Sequence, residues 1–299
     1  MPIGGGSHWA GPILGSNSSF SGLFEDIPAD VIARAASPYK VWFEDFGEEC
    51  TTSQAGTNLG TLGWSVTQVN TPAANTVGVI DRNLALVIDC GTTADTGYNL
   101  RFNTAPAATA TGDIHNIWPQ TQGTATLMDG RSMVVAVRLG LLQGTDAWNS
   151  KLFVGIGPND ASMMLPTDGS LTITAGGGFG FHIAEDGHMD AVIQPTTTAS
   201  VQQVMASIDS ISTTGSITST LSFIELGMRA RWVDASAGTG SVEYFVNGRL
   251  VHRFANLMPI QGAATYCFTL EALNGNASRD LDVEVDSILT AVTRPGVTV

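Results

Sequence analysis

The sequence predicts an all-β sandwich of about a dozen short strands, entered through an extended N-terminal arm. Three observations predict it. Apolar residues recur at every second position in run after run after about residue 39. Asn-Gly and Asp-Gly dipeptides, the strongest short-range hairpin signals, stand between such runs. Helical character is confined to one short stretch near the start.

Residues 1–38 form the arm. Gly4-Gly5-Gly6 and Gly15-Ser16-Asn17-Ser18-Ser19 are turn and linker residues, with large groups placed singly at Trp9, Leu14, Phe20 and Phe24. Such a chain has no core of its own, but it can lie along another surface and insert aromatic anchors. A short helix is expected over Pro28 to Ala36, with Asp26 as its N-cap and Ser37-Pro38 as its stop.

Residues 39–299 form the sandwich. Val41 to Phe46, Leu84 to Asp89 and Met133 to Leu139 are the first clear strands. In the third, Met133, Val135, Val137 and Leu139 share one face, and Val134, Ala136 and Arg138 the other. Leu152 to Ile156 runs into the turn Gly157-Pro158-Asn159-Asp160. Phe179, Phe181 and Ile183 alternate with Gly180 and His182 before Asp186-Gly187 reverses the chain. Ile224, Leu226, Met228, Ala230 and Trp232 share a face opposite Glu225, Arg229 and Arg231. After a loop of small residues, Val242, Tyr244 and Val246 lead to Asn247-Gly248 and on into Arg249 to Phe254. Tyr266 to Ala272 and a last strand alternating Leu281, Val283 and Val285 with Asp282, Glu284 and Asp286 complete the set. No fixed repeat period is present, which excludes a propeller or solenoid.

Composition narrows the function. Asp and Glu number 27 against 13 Lys and Arg, for a formal net charge of −14. A phosphate backbone would meet a negative surface, so direct nucleic-acid binding is not expected. No apolar stretch has the length of a membrane span, and Met1 to Gly6 has neither the basic start nor the apolar run of a secretory signal. Three widely separated cysteines, Cys50, Cys90 and Cys267, point to a reducing compartment rather than a disulfide framework. No CxxC pair is present, and neither a metal nor another cofactor is expected.

Met228-Arg229-Ala230-Arg231-Trp232, the small-residue loop, Ser241 to Val251 with its Asn247-Gly248 turn, and a closing strand returning toward the first resemble the concanavalin A-like (laminin G-like, lectin and glucanase) jelly roll over roughly residues 40 to 292. The resemblance implies that Val283 to Ile288 lies near Trp42 to Phe46. Ser7 to Leu14 and the Gly/Ser/Asn stretch after it resemble the start of capsid-associated structural proteins of tailed bacteriophages. That resemblance implies a virion component assembled in the host cytoplasm.

Candidate chemistry is sparse. Asp280, Asp282, Glu284 and Asp286 alternate along one strand, about 7 Å apart, a spacing of interest for acid and base work on a glycosidic bond. Glu284 and Asp286 match the first two positions of the glucanase Glu-x-Asp-x-x-Glu motif, but its third position is Leu289, so a solvated outer face is the expected reading. Asp95-Thr96-Gly97 spells the aspartic-protease triplet once only, and is read as a turn. His182, Glu185, Asp186, His188 and Asp190 crowd one hairpin, read as a polar tip rather than a metal site. Trp118, Trp148, Asn159 and Asp160 lie in loop-like stretches and are the candidate carbohydrate contacts that the lectin resemblance implies.

The expectation is a non-enzymatic virion protein, a decoration (cement) protein on the capsid surface. Its arm docks on the major capsid protein through His8, Trp9, Pro12, Leu14, Phe20 and Phe24. A homo-oligomer, with three-fold clustering on the shell, is the expected assembly. The alternatives are a carbohydrate-binding head or tail fibre module and, third, a glycoside hydrolase of the same fold.

Overall fold

The computed structural model describes residues 39–44, 56–59, 64–70, 77–80, 85–91, 93–102, 130, 132–143, 150–158, 164, 178–183, 188–194, 204–210, 223–234, 239–256, 266–275 and 281–293. They form sixteen strands: β1 (Tyr39–Glu44), β2 (Gly56–Leu59), β3 (Trp64–Val69), β4 (Val77–Ile80), β5 (Ala85–Asp89), β6 (Thr96–Phe102), β7 (Ser132–Gln143) and β8 (Ser150–Pro158), then β9 (Gly178–Ile183), β10 (His188–Gln194), β11 (Val204–Ser210), β12 (Phe223–Asp234), β13 (Thr239–Val246), β14 (Arg249–Ala255), β15 (Tyr266–Asn274) and β16 (Leu281–Thr293). All pairings are antiparallel. One eight-stranded sheet, sheet I, runs β14-β13-β12-β7-β16-β5-β4, with β1 also paired to β16. The other, sheet II, runs β11-β10-β9-β8-β15-β6-β3-β2. This is the expected all-β jelly-roll sandwich.

Alternation builds the core. Val135, Val137, Leu226, Met228, Tyr244, Val283 and Val285 of sheet I meet Leu152, Val154, Phe179, Phe181, Leu270 and Tyr98 of sheet II in one buried cluster. Aromatic pairs cross the gap between the layers. Tyr244 sets its ring edge-on to Phe181 at 5.3 Å, and Trp232 lies 6.4 Å from Phe179. The Tyr244 hydroxyl donates to the carbonyl of Val192 at 2.6 Å, so its polar end is satisfied inside the core.

The turn chemistry read from the sequence holds where it is described. Asn247 and Gly248 have φ of 48° and 74°, the left-handed pair of a type I′ turn, and they join Val246 to Arg249. The chain's last strand pairs with its first, Trp42 with Thr290 and Glu44 with Ile288. Asp95 is a turn residue at φ 62°, as expected of the Asp95-Thr96-Gly97 triplet. Strands β9 and β10 form the expected hairpin, Ile183 opposite Met189, although Asp186-Gly187 lies outside the described residues. So does the expected helix near Pro28 to Ala36.

One expectation fails. In a two-layer sandwich the outward face of each strand meets solvent, and Glu284 was expected there. Glu284 is buried, at 7 % exposure. It shares its face with Val87, Val134, Ala136, Leu289 and Ala291, none more than 5 % exposed. The outer face of sheet II is likewise covered at its centre, where Phe153, Leu273 and Val69 form a second cluster with Met164. Part of the outer face of each sheet is thus out of contact with solvent.

The Tyr244 contacts give a direct test of the inter-sheet core. Tyr244→Phe is expected to cost about 1 kcal/mol for the lost buried hydrogen bond, and Tyr244→Ala about 3–5 kcal/mol for the cavity. Urea unfolding monitored by tryptophan fluorescence measures both.

Candidate functional site

On the outer face of sheet I, three strands bring two carboxylates to one guanidinium. Glu225 on β12 stands opposite Arg138 on β7. On the other side of Arg138 the β7–β16 register shifts between Val285 and Ser287. This β-bulge takes Asp286 out of the simple alternation and aims its carboxylate at Arg138. Arg138 Nη1 donates to Asp286 Oδ2 at 2.9 Å, and Arg138 Nε lies 4.0 Å from Glu225 Oε1. The guanidinium also sits over the Phe223 ring, 4.6 Å from its centroid. Asn247 closes the end of the group, its Oδ1 accepting the Glu225 backbone N–H at 3.0 Å.

The two acids are not equivalent. Asp286 is 29 % exposed and ion-paired at hydrogen-bond distance. Glu225 is only 12 % exposed, and its Oε2 is buried with no hydrogen-bond partner. Burial therefore raises the Glu225 carboxyl above its ordinary range, offset in part by Arg138 and reinforced by the charge of Asp286. A carboxyl that tends to keep its proton thus stands across a guanidinium from one that meets that guanidinium at hydrogen-bond distance. Such a separation of environments is how one surface acquires both an acid and a base. The two strands that carry them flank β7, about 10 Å apart in backbone.

The same face continues as a charge ladder. Arg229 donates to Glu243 at 2.7 Å and lies over the Phe245 ring, and Arg253 approaches Glu243 at 3.7 Å. These opposite-charge cross-strand pairs support sheet pairing as much as any ligand.

The outer face of sheet II holds more buried polarity. One cross-strand row runs Asp190–His182–Phe153–Glu271–Asn99–Thr67. Asn99 Nδ2 donates to Glu271 Oε2 at 2.6 Å, and the Met164 backbone N–H donates to Glu271 Oε1 at 3.3 Å. Lys151, also fully buried, pairs with Asp95 at 2.8 Å. Phe153, Glu271 and Asn99 are all 0 % exposed. The middle of this row is closed, whereas the Glu225–Arg138–Asp286 group is open to solvent through Arg138 and Asp286.

Of the residues singled out in the sequence, the structure brings only Asp286 into this group. Glu284 lies two residues away on the same strand, and Leu289 is buried on the same outer face. Glu225 and Arg138 were legible only as outward-facing charges of two distant strands. Trp118, Trp148, Asn159 and Asp160, and all of His8, Trp9, Pro12, Leu14, Phe20 and Phe24, lie outside the described residues. His182 is buried and His188 exposed, both at the end of the β9–β10 pair nearest its connection. Among the described residues no three His, Cys, Asp or Glu side chains are grouped to hold a metal ion. Cys90 and Cys267 are buried thiols, and burial pushes Cys267 up to about 11.

No family model matches the sequence, and no curated protein does. Solved structures similar to this chain include an endo-1,3-β-glucanase from Streptomyces sioyaensis, at 12 % identity and a TM-score of 0.48, covering 88 % of this chain and 99 % of that one. A β-1,3-glucanase from Mycobacterium marinum is similar at 9 % identity and 0.46, covering 83 % and 97 %. The carbohydrate recognition domain of Emp46p in its potassium-bound form is similar at 9 % identity and 0.43, covering 76 % and 87 %. The expectation that this chain is not an enzyme is corrected here, since structures similar to it are named as glucanases. The capsid expectation rests on residues 1–38, which these similarities do not address.

The raised Glu225 carboxyl has a consequence for stability. The folded chain holds this proton more tightly than the unfolded chain does. Stability therefore falls as pH rises above 4.5, the ordinary value, and through the raised one. Glu225→Gln is expected to flatten that component. Urea midpoints across the range measure it, and an unchanged slope would count against the assigned environment of Glu225.

Proposed function

We propose that this chain recognises carbohydrate on the outer face of sheet I, at Glu225, Arg138 and Asp286. The observation that carries the reading is the group itself. It sets two carboxylates, a guanidinium and an amide beside an aromatic ring on a rigid sheet. Sugar hydroxyls are met by such planar, bidentate polar groups, and the apolar face of a pyranose by a ring. Phe223 is partly exposed and already stacked by Arg138, so a ligand would share or displace that stacking.

Hydrolysis is the second reading, and one observation favours it. Glu225 Oε2 is buried, without a partner, on a carboxyl raised toward its protonated form. A protonated Glu225 supplies a leaving-group proton, and the more exposed Asp286 carboxylate supplies a base for water, which is the division of labour in an inverting glycosidase. Attachment to a capsid through residues 1–38 has no described residue behind it and is not part of this reading.

A glycan array probed with the full chain, followed by a reducing-end assay on every glycan bound, tests both. Arg138→Ala and Asp286→Asn are expected to weaken binding about tenfold or more, equal to about 1.4 kcal/mol. Glu225→Gln is expected to leave binding within a few-fold while removing any release of reducing ends. Saturable binding to no glycan, or binding indifferent to Arg138→Ala and Asp286→Asn, would overturn the assignment.

A further inference from the structure

Sheet I ends in β14, whose one partner strand among the described residues is β13. Of its seven residues only Phe254 is buried. Leu250 is 54 % exposed and Val251 38 %, so the strand offers apolar surface to solvent. It also offers backbone. The Asn256 N–H donates to the Gly240 carbonyl at 2.7 Å, which continues the ladder past Ala255 opposite Ser241. Bonds in an antiparallel pair alternate, so His252 and Phe254 turn their N–H and C=O groups toward β13. Arg253 and Ala255 turn theirs to the open side. Val246 and Arg249 close the Asn247-Gly248 turn, which leaves the backbone of Leu250 facing the open side as well.

Charge at this edge is opposite in sign to that of the molecule. From β13 through its turn to the end of β14 the chain carries Arg249 and Arg253 against Glu243 alone, on a molecule of net charge −14. Glu243 is already bound by Arg229 at 2.7 Å. Arg253 reaches it only at 3.7 Å, with its own side chain 57 % exposed. Arg249 is exposed and has no ion pair among the described residues. Two guanidinium groups thus keep donors to spare, about one turn-length apart, with Leu250 and Val251 between them.

We propose that β14 takes up an extended acidic peptide of a partner protein, which adds to sheet I as a further strand. Backbone bonds to Leu250, Arg253 and Ala255 supply affinity, and carboxylates that meet Arg249 and Arg253 set the choice of partner. A second copy of this chain suits the same edge poorly, because four arginines would meet along one seam. The bulge between Tyr244 and Phe245 also kinks the edge. A free peptide can follow that kink where two rigid edges cannot. The edge is distinct from the Glu225–Arg138–Asp286 group on the sheet's face, and the inference does not depend on what that group binds.

The full chain is titrated, by fluorescence anisotropy, against a labelled eight-residue peptide of alternating Glu and Val. Saturable binding is expected, with none to the matching peptide of alternating Lys and Val. Arg249→Ala with Arg253→Ala is expected to weaken binding about tenfold or more, with thermal melting run alongside to show that the variant is folded. N-methylation of alternate peptide bonds of the acidic probe removes its ladder donors but keeps its charge, and is expected to weaken binding to the unaltered chain to a similar degree. No saturable binding of the acidic peptide, or binding that ignores the loss of both arginines, would overturn the proposal. So would binding indifferent to N-methylation, which would mark a contact of charge alone rather than an added strand.

Discussion

The ladder between β7 and β16 runs from Leu281 opposite Gln143 to Val292 opposite Met133, and its one irregularity falls at Asp286. The ladder places the chain's last strand in the middle of sheet I, with β1 and β5 both pairing along its far side. Period-two alternation then requires Val283 and Val285 to face the core before the bulge, and Ile288 and Val292 to face it after. Without one extra residue between these two sets, one half of the strand would turn its apolar side outward. The bulge reconciles them, and Asp286 is the residue left to turn toward Arg138. The chemistry at this site is thus a by-product of keeping a thirteen-residue strand in register on both halves.

The outer face beyond that bulge, toward the end of β16, is more apolar than a solvated face calls for. Val134, Ala136, Leu289 and Ala291 are small or branched residues with no polar atom for water to meet. Sheet II solves its outward face differently, with hydrogen-bonded polarity. Glu271 there accepts from both Asn99 and the Met164 backbone, so a carboxylate is accommodated out of solvent. Low charge density overall, with only two lysines and 11 arginines, accords with strands that are buried on parts of both faces. A smaller share of its strand surface meets water, so fewer charged groups are needed there.

Charge is also unevenly placed. The chain is strongly acidic, yet Arg138, Arg229, Arg231 and Arg253 converge on the outer side of β7, β12 and β14. Each of the three whose pairing has been described neutralises a carboxylate on a neighbouring strand. The result is a local surface of alternating sign on a negative molecule. A neutral polyhydroxylated ligand suits such a surface better than a strongly charged one, because it can accept and donate without a net electrostatic penalty.

The sequence alone carried the fold a long way. The alternation of Ile224 to Trp232 and of Met133 to Leu139, with the Asn247-Gly248 turn, was enough to predict the central strands, because side-chain period and turn geometry are local properties. The return of the last strand to the first was legible through the jelly-roll resemblance. Shorter strands such as β2 and β4, of four residues each, were not, since four residues hold too little pattern to separate strand from loop. Nor was the pairing of Glu225 with Asp286 across Arg138. Sixty residues of chain separate the two carboxylates, and only register and a single bulge bring them together. Outward position in a strand can be read from periodicity. Whether that position meets water or is buried is decided by non-local packing, and so Glu284 could be placed on its face by the sequence but its burial only by the folded molecule.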